Sequence, residues 1–204
     1  HRAGKLVVLN QPAELEAAGD SCTVKQQYGC DVRVITAEQA IEIEPALAFT
    51  KTPFAGAVYS ENDEVGDVLS FTSQLGQWLG KNRNTEFQFN TTVHRIITEA
   101  GKLRAIETNN GTLRPDAVVV CLGAWSDRIL KPLGIRANIY PVRGYSVTLP
   151  AGEKSNSVSI TDLGSKMVYS RLGDQIRIAG FADFVGFRTE RDEDRVCTLL
   201  DTAR

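Results

Sequence analysis

Residues 117–122 read Ala-Val-Val-Val-Cys-Leu, with no polar side chain among them, and Gly123 ends the run. A strand that is apolar at every position has two faces to hide, so it belongs inside a layered fold with cover on both sides. A half-exposed strand would alternate instead. After Gly123 a helix is expected through Ile129, Leu130 and Leu133, closed by Gly134. The pattern predicts a strand–turn–helix unit, and the rest of the chain has to supply its cover.

On the N-terminal side, residues 6–9 suit a short buried strand. Pro12 opens a run of good helix formers, and Gly19 is expected to stop it. Residues 32–35 read as a strand. Thr36 and Gln39 have the spacing of a capping box, in which each side chain satisfies the other residue's free backbone N–H. Pro45 pushes its predecessor out of helical geometry, so that helix must end near Glu44. A further strand is expected over residues 55–59. Asp67 then caps the clearest helix, where Val68, Phe71, Leu75, Trp78 and Leu79 fall on one apolar stripe. Residues 92–98 and 103–108 are β-like and joined at Glu99-Ala100-Gly101, and Asn109-Asn110-Gly111 is a tight-turn signal before another strand.

On the C-terminal side, residues 139–149, 157–160, 166–171 and 175–181 are strand-like, with a hairpin turn at Gly173-Asp174. Residues 189–204 return to helix. Antiparallel strands on both sides of a βαβ-like middle predict an α+β fold of two interleaved domains, 1–62 with 137–204 and 63–136 between them. His1 follows no start Met and residues 199–204 stop in mid-helix, so an internal piece of a longer protein is expected.

Charge and cysteine usage exclude several classes of function. The 23 basic residues are offset by 25 acidic ones, which leaves no basic surface for nucleic acid. Cys22, Cys30, Cys121 and Cys197 form no Cys-x-x-Cys pair, and His1 and His94 stand far apart, so no metal site is expected. Neither end reads as a signal peptide and no run approaches a membrane span, so a cytoplasmic protein, or one peripheral at the inner face of the cytoplasmic membrane, is expected.

Familiar catalytic signatures are missing. There is no Gly-x-Ser-x-Gly elbow, no Walker loop, no His-Glu-x-x-His and no Gly-x-Gly-x-x-Gly, and no residue is assigned a catalytic role. Four stretches invite chemistry. At Gly123-Ala124 the missing Cβ would let a bulky ligand lie against backbone, with helix N–H groups facing anionic oxygen; a strand-to-helix turn that simply needs glycine explains it equally. In Tyr140-Pro141-Val142-Arg143-Gly144-Tyr145-Ser146, Arg143 suits a bidentate carboxylate clamp and Tyr145 a hydroxyl donor, or Arg143 is a solvated side chain of an amphipathic sheet. In residues 63–67, paired carboxylates compete with a plain reading of Asp67 as a helix cap. Arg171 and Arg177 flank the hairpin, a strand of which could wall a cavity.

The order of these motifs resembles the D-amino acid oxidase superfamily: Glu44-Pro45-Ala46-Leu47, Asp63 to Phe71, Asn90-Thr91-Thr92-Val93, Val118 to Ser126 and Tyr140 to Ser146. Pro141 to Pro150 and Arg171 to Gly180 are most similar to the D-amino acid dehydrogenase small-subunit type. The resemblance implies a mixed, largely antiparallel substrate-domain sheet with helices, plus part of a Rossmann-like FAD domain. It implies an enzyme with non-covalent FAD that oxidises D-amino acids to 2-oxo acids and ammonia, passing electrons to a respiratory acceptor, with homo-oligomers an open outcome. It assigns Val93, Gly123 and Ala124 to the cofactor and Arg143 and Tyr145 to the substrate. The family's glycine-rich fingerprint and its C-terminal Arg-Pro-x-Thr-Pro-Asp-Gly region are absent, so the 204-residue chain is expected neither to hold FAD alone nor to be active. A glycine- or sarcosine-type amine oxidase and a non-enzymatic binding module of flavoenzyme-like fold are the alternatives.

Overall fold

The computed structural model describes residues 2–202. The chain divides into two compact units, one made of residues through Phe71, Arg143–Phe184 and Arg188 onward, the other of Thr72–Val142 and Val185–Phe187.

The first unit is built on a seven-stranded sheet in the order β2-β3-β1-β8-β9-β10-β7. Its strands are β1 (Lys5–Leu9), β2 (Val32–Thr36), β3 (Gly56–Ser60), β7 (Arg143–Pro150), β8 (Ser159–Asp162), β9 (Met167–Leu172) and β10 (Gln175–Asp183). Only β1 and β8 run parallel; every other neighbouring pair is antiparallel. The fold is therefore α+β with a mixed, largely antiparallel sheet.

Turn chemistry sets these boundaries. Thr36 Oγ1 accepts from the Gln39 N–H at 3.3 Å while Gln39 Oε1 accepts from the Thr36 N–H at 3.0 Å, the expected capping box of α2 (Ala37–Ile43). The helix stops at Glu44, ahead of Pro45. Gly173, at φ 66°, turns β9 into β10. Helix α1 (Pro12–Gln27) departs from expectation, because it runs straight through Gly19. Glycine weakens a helix interior without forbidding it. The real stop is Gly29, at φ 81°, where the Gly29 N–H bonds to the Gln26 carbonyl and the Cys30 N–H to the Lys25 carbonyl. Residues 139–142 also stay outside β7, which begins at Arg143. Pro141, lacking an N–H, cannot donate to a ladder there.

The sheet is covered unequally. On one face Leu6, Val8, Ile35, Ala57 and Ile160 pack with Ala40 of α2 and with Leu47. Further along that face, Met167, Ile176 and Ile178 pack with Leu199 of α5 (Glu193–Thr202). Tyr169 touches both clusters, so the two cores adjoin. On the opposite face α1 covers β1, β2 and β3, where a Cβ on Gly56 would lie 3.0 Å from Leu15. Helix α1 does not extend to β9, β10 or β7, and the Ser146 position there is exposed.

The second unit holds an antiparallel sheet of β4 (Val93–Glu99), β5 (Lys102–Thr108) and β6 (Gly111–Leu113). Ala100 and Gly101, both at positive φ, make the β4–β5 turn. Helix α3 (Val68–Asn82) spans the unit boundary, and Asp67 Oδ1 caps it by accepting from the Leu69 and Ser70 N–H groups at 2.9 and 3.2 Å. Gly123–Trp125 is a 3₁₀ turn, followed by α4 (Ser126–Leu130), a second 3₁₀ turn over Lys131–Leu133, and Gly134 at φ 80°. Residues 117–122 overturn the expected buried strand. They form no strand, and Val119 is 86% exposed. A strand is made by its partners, and no described strand pairs with this run.

Candidate functional site

A cleft of about 530 Å³ opens at the β9-β10-β7 end of the first unit's sheet. Ser146, Val168 and Ala179 lie opposite one another in register and line it, with Lys166 at the β8–β9 turn. Small side chains on three adjacent strands leave room that larger ones would fill. Both strands of the Gly173 hairpin contribute to the wall.

The floor is shaped by a bulge. The β10–β7 register slips between Gly180 and Asp183, and within the slip Phe181 sits at φ 65°. A bulky side chain at positive φ is a backbone outlier, and bulges of this kind re-aim side chains beside functional sites. Gly180 must be small, because a Cβ there would lie 2.3 Å from the Met167 sulfur. Asp183 follows the bulge and accepts from Arg195 of α5 through both oxygens, at 3.2 and 2.9 Å. The same guanidinium lies 4.8 Å from the centre of the Phe181 ring.

The two expected substrate residues lie on one face of β7, two positions apart. The Tyr145 backbone borders the cleft, but its ring packs on the opposite face with the Met167–Ile178–Leu199 cluster, where it meets Phe181 edge-on at 6.2 Å and its buried Oη has no hydrogen-bond partner among the described residues. A buried hydroxyl left unpaired costs about 1–3 kcal/mol, and here that cost falls within the core beneath α5. The Arg143 guanidinium is engaged differently. It donates to the backbone carbonyls of Arg188 and Glu190 and so ties that segment to the start of β7.

The three expected cofactor residues all belong to the second unit. Val93 opens β4 opposite Thr108, and the preceding Thr92 N–H donates to Asn109 Oδ1 at 2.7 Å. Gly123 stands at φ 53°, and a Cβ built on it would meet nothing within 4 Å. Ala124 follows in the same turn, and α4 packs against β4. The open backbone at Gly123 fits a flat ligand laid against it. A helix dipole does not contribute, since α4 has five residues. The nearby Leu122 N–H is already donated to Ser126 Oγ at 3.2 Å.

Sequence reasoning missed Phe181, Asp183, Arg195 and Lys166 as a group. Nothing local marks them, because phenylalanine is not a left-handed residue and the ion pair joins a strand to a helix. It also left Glu44 as a helix end, although this buried carboxylate accepts from Ala46, Ser157 and Val158 N–H groups.

The family described as FAD dependent oxidoreductase matches residues 1–204. The chain belongs to that family. It is 38% identical over 201 residues to a D-amino acid dehydrogenase of Bradyrhizobium diazoefficiens, covering 96% of this chain and 47% of that protein. It is 36% identical over 208 residues to a D-amino acid dehydrogenase of Dechloromonas aromatica, covering 98% and 50%. The chain thus spans about half the length of the curated relatives it matches. Among solved structures it is similar to a glycine oxidase from Bacillus cereus, with a TM-score of 0.86 at 20% identity over 100% of this chain and 55% of that one. It is also similar to an L-proline dehydrogenase from P. horikoshii, with a TM-score of 0.83 at 16% identity and the same coverage. These structural likenesses speak for the fold alone. Among the described residues, no helix is long and apolar enough to cross a membrane.

Proposed function

We propose that this family member acts as an FAD-dependent D-amino acid dehydrogenase, the present chain supplying the substrate-side sheet and one wall of the cofactor site. The observation that carries the reading is 35–38% identity to three relatives named D-amino acid dehydrogenase, spread over nearly the whole chain. Bound FAD would take the two electrons released when the amine-bearing carbon is oxidised. The residues have separate tasks. Val93, Gly123 and Ala124 hold the cofactor by leaving backbone open to it. Tyr145, packed beneath α5, supports the strand that lines the cleft, and Arg143 keeps residues 188–190 beside the start of β7. The imino product then hydrolyses to a 2-oxo acid and ammonia. Electrons pass onward to a respiratory acceptor, with the enzyme in the cytoplasm or peripheral to its membrane.

The test uses the full-length protein, purified and offered D-alanine, L-alanine, glycine and sarcosine with a dye acceptor or oxygen alone. A flavin spectrum with dye reduction favouring D-alanine is expected. Preference for glycine or sarcosine with direct oxygen use would instead point to an amine oxidase, and absence of flavin to a binding module.

A further inference from the structure

We propose that Arg177 is a specificity-determining residue that holds amino acids with a positively charged side chain out of the cleft and leaves it to those with a neutral one. The inference rests on the proposed dehydrogenase activity, with the substrate side chain lodged in the cleft.

Strand periodicity fixes where Arg177 stands. Ile176 and Ile178 pack with Leu199 beneath α5, together with Met167, and Val147 and Tyr169 pack against the same cluster. Their alternates must then occupy the opposite face, where the cleft lies: Arg177 and Ala179 on β10, Val168 and Ser170 on β9, Ser146 and Thr148 on β7. In register, Ser146, Ala179 and Val168 line the cleft, and the next row along is Thr148, Arg177 and Ser170. Same-face neighbours on a strand are roughly 7 Å apart, within reach of an extended arginine side chain. Arg177 is exposed, as are Thr148 and Ser146.

The charge on this face has one sign. Directly opposite Arg177 are two hydroxyl residues, and the diagonal positions are Ser146, Pro150, Val168 and Leu172, so no carboxylate stands across from it. A sheet commonly holds an exposed arginine by an opposite-charge pair, but Arg177 enters no ion pair among the described residues. Asp174, the nearest acid in sequence, belongs to the hairpin turn. Lys166 borders the cleft at its other end and adds a second positive charge. Charge of one sign over apolar walls concentrates its field in the cleft between them. A protonated side-chain amine entering there would lose water, meet two like charges and find no carboxylate among the lining residues. A methyl group in its place meets none of these penalties. The α-amine and α-carboxylate are common to every amino acid, so what Arg177 sorts is the side chain.

D-Lysine and D-norleucine are close in length and differ by the terminal ammonium, so together they separate charge from size. In the full-length enzyme, Arg177→Gln should lower the KM for D-lysine about fivefold and shift that for D-norleucine by less than about twofold, the scale expected of exposed charges. Where D-lysine turns over too slowly, its Ki against D-norleucine oxidation is the readout. Arg177→Glu should lower the D-lysine value further, and Arg177→Lys, which keeps the charge, should retain wild-type selectivity. Raising salt from about 0.05 M to about 0.5 M should narrow the wild-type gap between the two substrates much more than the gap in Arg177→Gln, because screening removes the repulsion. Equal shifts for both substrates, or none in Arg177→Gln and Arg177→Glu, would overturn the charge filter while D-norleucine oxidation left the dehydrogenase reading standing. A loss of selectivity in Arg177→Lys as large as in Arg177→Gln would point to packing rather than charge and overturn it too. A wild-type enzyme that oxidises neither of them, nor D-alanine, would overturn the dehydrogenase reading and the filter with it.

Discussion

Glu44 is a carboxylate at 2% exposure with no cation beside it among its described contacts. It is satisfied by donors alone: the Ala46 N–H at 3.0 Å, the Ser157 N–H at 2.7 Å, the Ser157 hydroxyl at 3.0 Å and the Val158 N–H at 2.8 Å. One side chain thus fastens the turn after α2 to the entry of β8, across more than a hundred residues of chain. Hydrogen bonds to a charged group are strong, and donors stranded in the interior are expensive. Glu44→Ala should therefore cost about 3 kcal/mol or more, measured by chemical denaturation. A loss below about 1 kcal/mol would mean that water replaces the carboxylate freely. Tyr169 carries a different dependence. Burial, and then the negative charge of Asp162, push its phenol above the ordinary value of 10.0. A raised pKa means stability that is complete below the unfolded value and drains away as pH rises through the folded one. Tyr169→Phe should accordingly flatten the fall in melting temperature above about pH 10, compared with wild type across the same buffers.

Among elements, what the sequence announced was what adjacent residues settle between themselves. The Thr36–Gln39 box, the Asp67 cap, the Gly173 hairpin and the Ala100-Gly101 turn each close within a few residues, so local chemistry decides them. What it hid depended on distant partners. The apolar run at 117–122 has the composition of a buried strand, yet pairing needs a neighbour, and the described chain offers none. The Phe181 bulge is imposed by β7 and α5, and its residue type gives no hint of positive φ. Of the cleft, the hairpin whose strands wall it was legible, because Gly173-Asp174 announces its turn within two residues. The Asp183–Arg195 pair, which joins a strand to a helix, was not. Gly19 offers a direct check on the helix it failed to stop. It is interior to α1, its φ is not positive, and a Cβ there would meet nothing within 4 Å. Gly19→Ala should raise stability by about 0.5–1 kcal/mol through the unfolded chain's lost freedom. A destabilised variant would show that α1 is frayed before Gly29.

Over the whole molecule, exposed segments set both self-association and cofactor affinity. Val68, Leu69, Phe71, Leu75 and Trp78 of α3 are between 40% and 72% exposed. Apolar stripes of this size seldom stay bare in a monomer, and a net charge of −2 offers little repulsion against association. The 204-residue chain should self-associate in sedimentation runs at micromolar concentration, and Leu75→Glu should lower the association. Cofactor binding should be weak for a related reason. Gly123 leaves an open wall, but an FAD pyrophosphate carries two negative charges that lose water on binding and need donors in return. Around Gly123 those donors are scarce: the Leu122 N–H is committed to Ser126, and α4 is too short to present an organised N-terminus. Each shortfall of 1.4 kcal/mol is a factor of ten in affinity, and unpaired burial of such charges costs several kcal/mol. Calorimetric titration of this chain with FAD should therefore show no saturation at concentrations of about 10 µM, a weakening of two or more decades from a site of ordinary cofactor affinity. Saturable micromolar binding would mean that β4 and the Gly123 turn supply donors beyond those already committed.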